Sequence, residues 1–145
     1  MNKEITIIPG GIAVDDRGAV RFCNEFNFSG VKRFYEVQNH RRGFIRAWHG
    51  HKNEGKYVWA SGGSFLIGIA PLDAAQGDLS AVKKYVLSDS KPNILWIPPG
   101  YYNGFMSLTE GGRLMYFSTS TLEESLGDDI RLPHDAWDIW ADDYR

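Results

Sequence analysis

Cysteine is almost missing from this chain of 145 residues. Cys23 stands alone, which excludes an internal disulfide framework and leads us to expect a reducing compartment, the cytoplasm. Long hydrophobic runs are missing as well. The opening segment MNKEITIIPGG is too short in its apolar part for a signal peptide or a membrane span, so no membrane partner is expected. An excess of one charge is also lacking: 16 Lys and Arg against 18 Asp and Glu leave a net charge of -2 with no basic block, and nucleic acid is not an expected partner. There are no repeats and no low-complexity segments, so a single domain over residues 1–145 is expected, large enough to bury roughly two-thirds of the unfolded surface. What the chain does have is aromatic residues, 14 % of the total, which favour strands and line ligand pockets.

Helical periodicity is scarce, and short β-forming runs take its place. The run EITII ends at Pro9-Gly10-Gly11, and a second turn, Asp15-Asp16-Arg17-Gly18, opens AVRFCNEF. Arg17 reads equally well as a solvated turn residue or as a phosphate ligand. VKRFYEV alternates cleanly, with Val31, Arg33, Tyr35 and Val37 on one side and Lys32, Phe34 and Glu36 on the other. SFLIGIAP, AVKKYVL, ILWI, YYNGFMSL and RLMYFSTST follow as further strands, with Gly and Pro turns between them. The spacing predicts an all-β sandwich or barrel, and only the tail TLEESLGDDIRLPHDAWDIW has room for a helical turn or two.

The chemistry concentrates in GFIRAWHGHKNEGKYVWASGG, from Gly43 to Gly63. His49 and His51 are one residue apart, so on a strand both imidazoles project from the same face. Arg46 precedes them and Lys56 follows. Such a face is a poor core and a suitable floor for an anionic, proton-transferring site. Histidines merely satisfied in the interior are the competing reading, but two of them beside Arg46 and Lys56 do not pack cheaply without an anionic ligand. The frame resembles that of metal-binding cupin jelly rolls: Gly43, five residues, His49-x-His51, four residues, Lys56, six residues, Gly63, and later Pro98-x-Gly100, two residues, Asn103. Lys56 stands where such proteins carry a carboxylate, and Asn103 where they carry an imidazole. Two histidines alone hold a metal poorly, so neither a metal nor another cofactor is expected.

The strings DDRG, VQNH, RGFIRAWHGH, EGKYV, LWIPPGYYNGF and LMYFST, in that order within a likeness that covers residues 15 to 140, resemble the dTDP-4-dehydrorhamnose 3,5-epimerases, cupins that act on nucleotide-linked 4-keto sugars. The resemblance implies a cupin jelly-roll barrel with a short helical or irregular C-terminal tail, a nucleotide-sugar substrate and a homodimer, with EITII as a possible exchanged strand. It implies His49 as general base, Lys56 as the counter-charge of the enolate, Tyr116 as the acid on the opposite face, and Arg17 and Arg46 as phosphate ligands. Gln38 and Asn39 of VQNH, with Asn103, fall in its substrate-binding stretches. The family supports its base with an aspartate near the C-terminus. Asp135 is the candidate here and Asp138 the alternative, although LPHDAWD departs from the family pattern. VKRFYEV with HxHK is also similar to the sugar 3,4-ketoisomerases, in which His49 and His51 would both be catalytic and Tyr35 an active-site group. Altered Asn103 leaves a third reading, a sugar-nucleotide-binding cupin without catalysis.

Overall fold

The structure, a computed structural model, describes residues 2–145. Two five-stranded antiparallel sheets face each other. The first runs in the order β1 (Thr6–Pro9), β9 (Asn93–Ile97), β6 (Lys56–Gly62), β11 (Arg113–Ser118) and β4 (Arg33–Gln38). The second runs β12 (Ile130–Arg131), β5 (Ile45–His51), β10 (Tyr101–Ser107), β7 (Ser64–Pro71) and β8 (Lys83–Ser88). This is the expected all-β jelly roll. β2 (Gly11–Asp15) and β3 (Gly18–Phe22) pair only with each other, as a hairpin whose turn uses the positive φ of Gly18. Within the chain, β1, which takes in the end of EITII, pairs with β9. The tail carries one short helix, α1 (Leu122–Leu126), opened by a Thr121–Glu124 capping box, and a 3-10 turn over His134–Trp137. Among the described residues no helix is long and apolar enough to cross a membrane.

Period-two alternation sorts the side chains into two cores. Between the sheets lie Val58, Phe65, Ile67, Leu95, Phe105 and Leu114. Outside the second sheet, Trp48 and Tyr102 are covered by Trp137 and Trp140 of the tail, and the indole N–H groups of Trp48 and Trp140 both donate to the His134 carbonyl. Trp48 is therefore a core residue.

One irregularity positions the site. Asn103 of β10 stands opposite His49 of β5, but Phe105 stands opposite Arg46. The single residue Gly104 thus faces two, Ala47 and Trp48, which is a β-bulge. Both Ala47 and Trp48 pack into the outer core, and Arg46 returns to the inner face beside His49, where strict alternation would have turned it away. A Cβ at position 104 would collide with Ala47, so glycine is what lets the bulged strand lie against its neighbour.

Candidate active site

The inner faces of the sheets leave a cavity of about 270 Å³ at the end of the barrel where β4 and β12 are the open edges. The second sheet contributes Arg46, His49, His51 and Asn103, and the first contributes Tyr35, Lys56 and Tyr116. Seven of the residues singled out in the sequence thus meet around one space.

His49 is half-buried. Burial, and then the charges of Arg131 and Lys56, lower its pKa, with Asp129 pulling the other way, so the imidazole is neutral and able to accept a proton at neutral pH. Lys56 is buried on the facing sheet. Burial lowers its pKa too, and its Nζ lies 5.5 Å from the centroid of the Tyr116 ring and 6.0 Å from that of Tyr35. Tyr116 stacks on Tyr35 at 5.2 Å and 8°. Its hydroxyl is buried without a hydrogen-bond partner, and burial followed by Tyr35 raises its pKa well above the usual phenol range. A protonated phenol and a neutral imidazole therefore stand on opposite walls, with an ammonium beside the phenol.

His51 is held differently. Its Nε2 is 3.2 Å from Glu54 Oε1, whereas its Nδ1, 3.8 Å from Asp128 Oδ2, is buried without a hydrogen-bond partner. Glu54 is a buried hub that the sequence reading missed: it also accepts from Arg33 at 3.2 Å, from Ser125 Oγ at 2.9 Å and from Ser118 Oγ. Its signal was its place three residues after His51, passed over because the motif frame set Lys56 in the acidic position. Engaged in this way, Glu54 leaves Lys56 unneutralised; no carboxylate among the described residues pairs with that ammonium, and an uncompensated buried cation costs several kcal/mol.

The tail closes the cavity with residues other than those expected. Asp135 and Asp138 are exposed around the 3-10 turn and line no part of the cavity. Asp129 and Arg131 do line it, because β12 pairs Ile130 with Gly50 and Arg131 with His49. Asp128 fastens this segment by accepting the backbone N–H groups of Lys52, Asn53 and Glu54 at 2.9, 2.8 and 3.1 Å. The carboxylates nearest the two histidines are thus Asp129 by His49 and Glu54 with Asp128 by His51, not Asp135 or Asp138.

Three further expectations change in kind. Asn39 is buried behind the wall, where it donates to Ser107 Oγ at 2.6 Å and accepts from Arg46 Nε at 2.8 Å, so it positions Arg46 instead of reaching ligand. Gln38 is exposed, donates to the Gly111 carbonyl and borders a neighbouring cleft. Arg17 sits at the tip of the β2–β3 hairpin, paired with Asp15 at 2.6 Å, and reaches no cavity residue of its own chain. Asn103 keeps its place on the floor, its amide donating to the His49 carbonyl at 3.3 Å.

Residues 3–140 match the family model described as dTDP-4-dehydrorhamnose 3,5-epimerase. Among solved structures, a 3'-monoepimerase from Streptomyces bikiniensis in complex with dTDP-quinovose aligns with a TM-score of 0.76 at 18 % identity, covering 97 % of this chain and 77 % of that one. The dTDP-4-dehydrorhamnose 3,5-epimerase of Bacillus anthracis, with TDP and pyrophosphate bound, gives 0.74 at 20 %, covering 93 % and 80 %. A sugar 3,4-ketoisomerase from Thermoanaerobacterium thermosaccharolyticum in complex with TDP gives 0.68 at 21 %, covering 97 % and 96 %. No curated protein matches the chain by sequence. At these identities the structural likeness is one of fold.

Proposed function

The chain belongs to the dTDP-4-dehydrorhamnose 3,5-epimerase family, and on that premise we propose that it epimerises a dTDP-4-keto-6-deoxyhexose at C3, C5 or both. The observation that carries this reading is the placement of His49 and Tyr116 on facing sheets, with Lys56 beside Tyr116. A ligand between the sheets meets a base on one face and an acid on the other, which is what inversion at carbon requires.

His49 takes the proton of the carbon next to the ketone, and the electron pair moves onto the carbonyl oxygen. Lys56 meets the charge that develops there, in a site dry enough for the interaction to count. The Tyr116 hydroxyl then returns a proton from the opposite face, and solvent restores both groups. Arg46, held by Asn39, takes the phosphate side of the substrate. Asp129, beside His49, serves in the role first assigned to Asp135. A 3,4-ketoisomerase would need His51 as a second proton carrier; its Nε2 is committed to Glu54 Oε1 at 3.2 Å, which leaves only the unpartnered Nδ1 for that use.

Incubation with dTDP-4-keto-6-deoxyglucose in deuterated water, read by NMR, tests the assignment. Deuterium at C3 or C5 with inversion is the expected outcome. Movement of the carbonyl to C3 would mean a ketoisomerase, and no exchange with any 4-keto nucleotide sugar would leave a binding protein. His49→Ala is expected to abolish exchange, through loss of a base contributing about 10²- to 10⁴-fold, while the protein still binds TDP.

A further inference from the structure

Glu54 is a carboxylate with a fully buried side chain to which the reaction above gives no task. Its four lone-pair sites are all taken. Oε1 faces His51 Nε2 at 3.2 Å and accepts from Ser125 Oγ at 2.9 Å, while Oε2 accepts from Arg33 Nη2 at 3.2 Å and from Ser118 Oγ. No lone pair remains for Lys56, two residues along the chain, so Glu54 acts on that ammonium only through its field.

Strand register puts this field next to the site. Ser118 of β11 stands opposite Arg33 of β4 on one side and Lys56 of β6 on the other, so the three side chains form a row across one face of the first sheet. Two strand spacings, roughly 10 Å, separate the backbones of the two cations, and the Glu54 carboxylate rests on the serine between them. Both cations also face the Tyr35 ring, Arg33 at 4.9 Å and Lys56 at 6.0 Å from its centroid. Arg33 has the direct bond to Glu54 and Lys56 has none. The other groups around Lys56 do not replace it. Asp129 is engaged with Arg131 at 2.8 Å, Arg46 is a further cation on the facing wall, and His49, His51, Tyr35 and Tyr116 are neutral at neutral pH. Burial lowers the pKa of Lys56, Glu54 opposes that most strongly, and Arg33 lowers it again.

Resting on the assignment of Lys56 as the counter-charge of the enolate, we propose that Glu54 is a positioning residue of the reaction: it binds Arg33 and not Lys56, and so holds Lys56 as an ammonium left free for the developing oxyanion. A direct Glu54–Lys56 pair would neutralise the group the enolate needs, and without any carboxylate the buried amine would shed its proton. Two opposite signs follow. Glu54→Gln, nearly the same in shape, removes the opposing charge and frees Arg33, and both changes favour the neutral amine. Arg33→Gln removes the competing cation and leaves Glu54 to act on Lys56, so the ammonium is favoured.

A pH titration of the isotope-labelled Lys56 ε-methylene and amine, followed by NMR, tests this without turnover. Lys56 is expected to titrate at lower pH in Glu54→Gln and at higher pH in Arg33→Gln. Ser125→Ala, which removes a hydrogen bond to Glu54 but no charge, should leave the titration in place. The alkaline limb of kcat/KM for dTDP-4-keto-6-deoxyglucose should move with Lys56. In Glu54→Gln activity should fall by about 10²- to 10³-fold at a pH where the wild type is still active, the loss typical of a withdrawn oxyanion donor. A Lys56 titration that moves in neither charge variant overturns the proposal, as does one that falls as far in Ser125→Ala as in Glu54→Gln. If Glu54→Gln does not fold, the rise expected in Arg33→Gln decides alone. The proposal and the reaction fail separately: titrations that move as expected without deuterium exchange on any 4-keto sugar overturn the epimerase reading, and unmoved titrations with exchange intact overturn the role of Glu54 alone.

Discussion

At the scale of single residues, the base His49 is balanced between Arg131, which lowers its pKa, and Asp129, which raises it, and these two pair with each other at 2.8 Å. Burial comes first and acts in the same direction as Arg131, so the acid limb of kcat/KM should lie below the ordinary histidine value of about 6.5. The signs for the variants follow directly. Asp129→Asn removes the group that favours the imidazolium and frees Arg131, so the limb moves to lower pH. Arg131→Gln does the reverse, and the limb moves to higher pH. A pH–rate profile of each variant checks this, and a limb that stays in place in both would separate the pair from the base. His49 and Lys56 were singled out in the sequence because residue type and spacing carry their chemistry, Arg46 because of its residue type, and Tyr116 only through the family resemblance. Asp129 was not, since an acidic tail without periodicity gives no reason to prefer it over Asp135, and the strand pairing that selects it joins positions 82 residues apart.

At the scale of elements, the tail is held over the cavity chiefly by Asp128, whose carboxylate takes three consecutive N–H groups from the turn between β5 and β6. Burial works against its charge, but those N–H groups from Asn53, Lys52 and Glu54 together hold its pKa below the usual value. Asp128→Ala leaves them without their charged acceptor and should lower unfolding stability by about 2 to 3 kcal/mol in urea titration. Asp128→Asn, with one acceptor oxygen remaining, should lose less. Because the folded state depresses this pKa, the contribution is complete above about pH 4 and drains as pH falls through the folded value, so the wild type should lose its advantage over Asp128→Ala in acid. Period-two alternation revealed the strands themselves, including the Arg33–Tyr35–Val37 face of β4 that lines the cavity. It could not reveal the bulge: counting back from His49 puts Arg46 on the wrong face, and only the single Gly104 across the sheet explains why it points inward.

At the scale of the whole molecule, the β2–β3 hairpin is the element that its own chain leaves least covered. Two strands alone are marginal in water, yet Val14 and Val20 near the tip are 73 % and 65 % exposed, and Phe28 and Phe34 add an open aromatic cluster against Phe26 and Phe117 on the outer face of the first sheet. A second copy of the chain related by a two-fold axis would cover these surfaces on both protomers at once. It would also give Arg17 a destination, since the hairpin that carries it away from its own cavity can extend toward the other protomer's. Light scattering is expected to give a dimer, and the double variant Val14→Asp, Val20→Asp a monomer. The position of Arg17 is tested by mixing two inactive proteins, Arg17→Ala and His49→Ala, under conditions of subunit exchange. If Arg17 acts across the interface, one site of each mixed dimer holds both an intact His49 and the Arg17 of the other protomer, and activity returns. If Arg17 acts within its own chain, no site in the mixture contains both residues, and activity stays absent.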